Sequence, residues 1–245
     1  MKKLLTILMI SLFAVASCCY AADNQKVLRV GTEGAFAPFE FIDEKGQITG
    51  FDVDLIRALA EQAGYKADVQ VMGFDALIPA VKTEILDCAI AGMTITEERK
   101  KVVLFTDSYY DAGLYVLVRK DNTDIKGYQD LEGKRIACQI GTTGENKSRA
   151  VPGARVTSYN TNVEACMELV AKGVDAVIND APVVAFYLKS DAGKNCKIVG
   201  DLLEAEQYGI AIHKDNPKLV KELNKALSVL RKNGTYDKIF NKWFN

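Results

Sequence analysis

The sequence predicts an α/β protein of two similar lobes facing each other across a crevice. Three observations carry that expectation. Short β-branched runs alternate with amphipathic helical runs from residue 27 to the C-terminus. The order β-α-β-α-β over residues 27–92 is that of a parallel sheet covered by helices on both faces. A second set of the same kind follows with no Gly/Ser- or Pro-rich linker before it, which suits lobes joined by strands that cross from one to the other. A chain of 245 residues is long enough for a substantial core and one or two domains.

The first element, VLRVGT (27–32), is a short β-branched strand. GFDVDLIRALAEQAG (50–64) repeats Leu55, Ile56, Leu59, Ala60 and Ala63 at helical spacing, with Asp52 as the expected N-cap and Gly64 as the stop. ADVQVM (67–72) is a strand, FDALIPAVKT (74–83) a short helix and LDCAIAG (86–92) a buried strand. The second set opens with the strand GLYVLVRK (113–120). KRIACQIG (134–141) is a strand running into a Gly-Thr-Thr-Gly turn, ARVTSY (154–159) another strand, and NVEACMELVAKG (162–173) a helix stopped by glycine. VDAVIND (174–180) is a strand, APVVAFYLKS (181–190) a helix and YGIAIHKD (208–215) a strand. Two helices, PKLVKELNKALSVLRKNG (217–234) and TYDKIFNKWF (235–244), close the chain. Pro217 suits a first helical turn and Gly234 a break between the two.

Composition is ordinary for a globular protein, 49% apolar and 26% charged. The formal net charge of -1 leaves no basic excess for nucleic acid or an anionic membrane surface. The N-terminus stands apart. A basic MKK precedes the apolar run LLTILMISLFAVA, which is short for a bilayer span and of signal-peptide length. Residues 1–22 are therefore expected to be an export leader. Two readings of its end compete. VASC resembles the lipobox of bacterial lipoproteins, with Cys18 as the lipidated first residue, whereas CYA before Ala22 is an ordinary small-residue cleavage site. On either reading the protein is expected in the periplasm or on the outer face of the cytoplasmic membrane. An N-terminal lipid would be its sole membrane tie, since no later stretch is apolar enough for a membrane helix. Cys88, Cys138, Cys166 and Cys196 lie at wide spacings without a C-x-x-C, so no zinc site is expected. Cys88 and Cys138 read as small buried hydrophobes. An oxidising compartment permits a Cys166–Cys196 disulfide, but sequence cannot establish their separation.

In open α/β sheets, ligands gather beyond the carboxyl ends of strands. The first strand is followed by Glu33 and Phe36, the second by Phe74, and the third by Ala91, Gly92, Thr94 and then Arg99. In the second set the strand ends supply Gln139, Gly141, Thr142, Thr143 and Gly144, and later Asn179 and Asp180. Phe39 and Phe41 suit core packing better than a site. Taken alone, Arg99 suits a charged helix surface equally well, and Glu33 a solvated loop. Together the set has a direction. Gly92 allows close backbone approach. Thr94, Thr142 and Thr143 can donate to a carboxylate, and Arg99 can add a charge-assisted fork. Asp180 is the natural partner of an ammonium group. Donors facing an acceptor acid describe a zwitterion, an α-amino acid.

GFDVDLIRALAEQAGY, FDALIPAV, AGMTITEERKK, QIGTTGE and YGIAI followed by NGTYDKIFNKWF closely resemble the periplasmic amino-acid-binding proteins of ABC importers. The likeness is to the branch that binds glutamine, arginine, lysine and histidine, and it covers roughly residues 27–245. It implies a type II periplasmic-binding-protein-like fold with mixed, mostly parallel sheets and a two-stranded hinge. It implies lobe 1 from residues 23–111 plus 208–245, lobe 2 from 112–207, and crossings near Tyr109–Gly113 and Glu204–Tyr208. It implies that Arg99, Thr94, Gly92 and Thr143 hold an α-carboxylate, that Asp180 takes the α-ammonium, and that Phe36 and Phe74 sandwich the side chain. It further implies a monomer without cofactor that delivers a free L-amino acid to an ABC permease.

The ligand's side chain should meet Glu33, Phe36, Phe74 and Gln139. The glutamine binders of the best-known type carry Asp and Lys where this chain has Glu33 and Gln139. A lysine there would repel a cationic ligand by about 4 kcal/mol at ~4 Å and an effective dielectric near 20. Without it, Glu33 is unopposed and the phenylalanines can stack on a guanidinium. Arginine is therefore expected first and lysine next, with glutamine as the alternative. Some relatives on this fold are dehydratases of small acids, so fold alone does not exclude catalysis. No nucleophile–base pair is visible, however, and His213 is expected to face away from the crevice. A receptor's ligand-binding lobe pair would need membrane helices between the lobes, and the sequence has none.

Overall fold

The computed structural model describes residues 25–245; the leader, Cys18 and both cleavage readings lie outside the described residues. The chain starts with β1 (Lys26–Thr32) and a small antiparallel sheet of β2 (Ala35–Phe36), β3 (Glu40–Ile42) and β4 (Ile48–Thr49). It continues through α1 (Phe51–Gln62), β5 (Tyr65–Val71), α2 (Phe74–Lys82), β6 (Cys88–Ala89), α3 (Glu97–Lys100) and β7 (Leu104–Phe105). β8 (Tyr110–Arg119) then enters a second sheet, with β9 (Arg135–Gln139), α4 (Thr143–Arg149), β10 (Arg155–Tyr159), α5 (Asn162–Val170), β11 (Ala176–Asp180), α6 (Ala181–Tyr187) and β12 (Cys196–Val199). β13 (Ala205–Tyr208) leads back to β14 (Ala211–Ile212), α7 (Pro217–Lys232) and α8 (Thr235–Phe244).

The two main sheets run β5-β1-β6-β14-β7 and β10-β9-β11-β8-β12. In each, an early strand lies parallel to both neighbours: β1 between β5 and β6, and β9 between β10 and β11. β14 and β7 in the first sheet, and β8 and β12 in the second, extend these parallel sets with antiparallel pairings. Between the sheets, β13 runs antiparallel to β8, from Ala205 opposite Gly113 to Tyr208 opposite Tyr110. Both crossing segments thus lie side by side, the geometry of a two-stranded hinge.

Each sheet has its own core. Leu28, Val30, Leu55, Ile56 and Leu59 pack with Leu219, Leu223 and Leu227 of α7 on the first. Val116, Val118, Ile136 and Ile178 fill one face of the second, and Leu117, Val177, Cys166 and Leu169 the other. Burying one such side chain contributes ~1.5–3 kcal/mol. At the crossing, Phe39 sits edge-on to Tyr110 and Tyr208, with ring centroids 4.9 and 5.2 Å apart. α8 adds Phe240 and Phe244 to that cluster.

Several local expectations change. Residues 86–92 form a strand only at Cys88–Ala89, because the chain leaves the ladder to build the loop that follows. Asp52 does not cap α1; Gly50 is the N-cap, at φ 132, where a Cβ would lie 2.0 Å from the Phe39 carbonyl oxygen. Residues 208–215 end one strand and begin another, and β12 has no counterpart among the elements read from sequence. Cys88, Cys138, Cys166 and Cys196 are buried free thiols, so the Cys166–Cys196 bridge is not formed. No helix among the described residues is long and apolar enough to cross a membrane.

Candidate functional site

The segments after β1, β5, β6, β9 and β11 converge on a narrow, nearly closed cavity lined by Phe36, Phe74, Ala91, Gly92, Thr94, Arg99, Gln139, Thr142, Thr143 and Asp180. Glu33, the remaining sequence candidate, adjoins Gln139 without being part of the wall. The two sheets contribute opposite walls, so the cavity is closed only when both are in place.

Arg99 anchors the basic wall. Its Nη1 donates to the Thr94 carbonyl at 2.7 Å and its Nη2 to the Gly141 carbonyl at 3.0 Å, the second bond reaching across to the other sheet's loop. The guanidinium carbon lies 5.3 Å from the centre of the Phe74 ring, within cation–π range. Burial pulls the Arg99 pKa down, and the nearby Asp180 and Glu206 charges pull it back. It remains a cation at any physiological pH.

Thr96 caps α3 by accepting from the Arg99 N–H at 3.1 Å, which fixes where the arginine starts. Gly92 has φ 51, and a Cβ there would sit 2.7 Å from Phe36 Cε1. Only glycine fits both constraints. Its N–H, however, is taken by Asp52 Oδ2 at 2.8 Å, so its carbonyl is the group it can offer. Thr142 is likewise committed. Its hydroxyl donates to the Gln139 carbonyl at 2.7 Å and accepts from Glu145 N–H at 3.1 Å, capping α4. Thr94 donates its hydroxyl to Glu206 Oε2 at 3.0 Å.

Asp180 anchors the acidic wall, 4% exposed at the end of β11. It occupies the N-cap of α6 without making a capping bond and accepts from the Tyr208 hydroxyl. Burial pushes its carboxyl well up and Glu206 adds to the rise, against Tyr208 and Arg99. Burial also raises Glu206, opposed by the Thr143 and Thr94 hydroxyls and by Arg99.

The remaining end of the site is polar and poorly satisfied. Glu33 is 3% exposed, and neither of its carboxylate oxygens has a hydrogen-bond partner. Burial pushes it up to about 7, and the adjacent Gln139 amide pulls the other way, although its Nε2 donates to the Asn160 carbonyl at 3.1 Å and not to Glu33. Gln139 Oε1 and Asn179 Nδ2 are also buried without partners. Glu40, fully buried, is pushed well up by burial and by the charges of Asp52 and Glu33. Asp52 is raised to about 6 by burial, against hydrogen bonds from Gly92 N–H and from the Tyr109 hydroxyl at 2.7 Å. Unsatisfied buried carboxylates cost stability, and they concentrate at this one end.

Sequence reasoning did not single out Glu40, Glu206 or Tyr208, and it gave Asp52 a capping role. All four surround the cavity from behind its lining. His213 stands elsewhere, with Nε2 4.0 Å from Glu84.

Comparison with known proteins is consistent over the described length. Residues 28–245 match the profile of the family described as bacterial extracellular solute-binding proteins, family 3. The L-arginine-binding protein of Pseudomonas aeruginosa is 36% identical over 254 residues, spanning 100% of this chain and 97% of the relative. A solved structure of an ancestral arginine-binding protein bound to arginine matches with a TM-score of 0.86 at 45% identity, covering 89% of this chain and 98% of that one. An ancestral arginine-binding protein bound to glutamine matches with a TM-score of 0.83 at 45% identity, covering 89% and 97%.

Proposed function

Because the chain belongs to the bacterial extracellular solute-binding proteins, family 3, we propose that it captures a free L-amino acid with a cationic side chain, arginine before lysine. It then delivers that ligand to the permease of an ABC importer. The observation that carries the ligand class is Glu33: a buried carboxylate with two unpartnered oxygens next to the cavity wall. A guanidinium would satisfy both oxygens at once, in the bidentate geometry that suits that pair. Arg99 and Thr143 then receive the α-carboxylate, Asp180 the α-ammonium, and Phe36 and Phe74 flank the side chain. The likeness to arginine-binding relatives supports the same choice.

Glutamine is the second reading. Gln139 Oε1 and Asn179 Nδ2 are free to complement an amide, and one similar structure holds glutamine.

The action is capture. Ligand joins the two walls and shifts an open–closed equilibrium, because both half-sites exist together only in the closed arrangement. The Arg99–Gly141 bond already links the walls there. The lobes are residues 23–111 plus 208–245 and residues 112–207, with closure about β8 and β13. The protein works outside the cytoplasmic membrane as a monomer, held at most by a lipid on Cys18. Capture without a chemical step on the ligand is the reading that the likeness to binding proteins supports.

Calorimetric titration of refolded, ligand-stripped protein with arginine, lysine and glutamine tests the reading. Arginine should give the tightest binding. Micromolar or tighter glutamine binding with no arginine heat overturns the preference.

A further inference from the structure

We infer that Tyr208 is a positioning residue of the binding site: from the crossing strand, its hydroxyl fixes the Asp180 carboxylate in place to receive the ligand's α-ammonium. The inference rests on the amino-acid reading above but not on which amino acid is bound.

The local structure explains how a hinge residue comes to act on the site. Residues along a strand alternate faces, and in β13 Glu206 and Tyr208 point inward while Ala205 and Gln207 are exposed. Tyr208 is 0% exposed. Its ring stacks on Tyr110 at 5.7 Å and meets Phe39 edge-on. Its carbonyl accepts from Tyr109 N–H at 3.0 Å, and an isolated bridge ties it to Thr94. The hydroxyl is therefore held by packing on three sides and has little freedom to swing away. It donates to Asp180 Oδ2, and Asp180 has no capping bond with its own helix to hold it otherwise.

Asp180 needs that support because of its neighbours. Glu206 from β13 faces it with like charge, and the buried Glu40 from β3, itself pushed well up, lies nearby. Arg99, after β6, is the cation among its neighbours, and Tyr208 is the neutral donor. Burial and Glu206 oppose ionisation of Asp180; the Tyr208 hydroxyl, the Arg99 guanidinium and a backbone N–H favour it. A carboxylate must be ionised to take an ammonium, so loss of the hydroxyl shifts the balance toward the protonated, non-binding form.

Tyr208→Phe tests this while keeping the ring and the aromatic cluster. Arginine affinity is measured by calorimetry between about pH 5.5 and 8.5 for wild type, Y208F, D180N and the double variant. Melting temperatures confirm that each is folded. A hydrogen bond to a charged group corresponds to a change of roughly tenfold or more in affinity. Y208F should weaken binding about tenfold near neutrality, with a smaller loss at the alkaline end. The pH at which affinity begins to fall should move upward. In the D180N background, Y208F should change affinity less than about twofold. An equal loss at every pH, or the same loss with and without Asp180, would show that Tyr208 is merely structural and overturn the inference. If wild type takes glutamine instead of arginine, the ligand reading fails. The same cycle run with glutamine, whose α-ammonium is identical, still decides the role of Tyr208. Failure of wild type to bind any amino acid overturns the role together with the ammonium site.

Discussion

Replacing Glu33 by Gln removes a charge while keeping shape, and it separates the two candidate ligands. The carboxyl is 3% exposed and unpartnered, and burial holds it at about 7. At pH 8 it is therefore largely ionised and available to a guanidinium. The direct attraction of such a pair at ~4 Å is about 4 kcal/mol at an effective dielectric of 20, part of which is offset by desolvating both groups. Removing one partner of a buried, hydrogen-bonded charge pair costs ~2–5 kcal/mol. Taking ~3 kcal/mol, arginine affinity falls about 150-fold. Glutamine loses an acceptor but gains an amide of equal shape, so its affinity should change less than about tenfold. The variant should also flatten the pH response. In wild type, arginine binding weakens as pH falls through about 7 and Glu33 takes up a proton; in E33Q that part disappears. Calorimetry at pH 6 and pH 8 with both ligands reads every part of this. Arginine affinity within threefold of wild type in E33Q at pH 8 would refute the reasoning.

Arg99→Ala and Asp180→Ala should each weaken amino-acid binding at least tenfold with the melting temperature nearly unchanged, since the first removes the Gly141 bond and the second the acidic wall; wild-type affinity in either variant contradicts the site. Gly92→Ala forces a non-glycine residue to φ 51 against Phe36, a cost of ~1–3 kcal/mol, and should lower the melting temperature by on the order of 2–12 °C. A drop below one degree in a thermal scan would show that the loop relaxes freely. Ligand-free protein should be more stable at pH 5.5 than at pH 8. Glu33 and Asp52 sit at about 7 and about 6 in the fold, against the lower values of free carboxyls. The folded state therefore binds more protons than the unfolded chain, and stability is lost as pH rises through that range. Denaturant titrations at the two pH values measure the difference, and equal or greater stability at pH 8 would count against buried, unpaired acids at this end of the site.

How far the sequence revealed the site follows from where each residue's partners lie. Phe36, Gly92, Thr94, Arg99, Gln139, Thr143 and Asp180 were legible because each stands just past an apolar run, and the ends of parallel strands converge by geometry alone. Thr142 stands in the same place, yet its hydroxyl caps α4; position could not tell a wall residue from a cap. The residues behind the wall were hidden for a different reason. Asp52 meets Gly92 and Tyr109, forty and fifty-seven residues away in sequence, and Tyr208 meets Asp180 twenty-eight away. No local motif records such pairings.

A trace of these residues existed nonetheless, in conflict with the local pattern. Asp52 lies on the face of α1 that also carries Leu55, Ile56 and Leu59, all buried. An acid on a helix's apolar stripe breaks the pattern that forms the helix. Glu206 does the same in β13, at the buried parity shared with Tyr208. Buried acids are rare unless paired, and a chain that tolerates several in one place usually has a use for them. In this fold the conflicting positions Asp52 and Glu206 lie, with the buried Glu40, around the cavity that the strand ends form. The place of Asp52 on that apolar face, and not its nearness to the helix start, is the local sign that it belongs behind Gly92 at the back of the site.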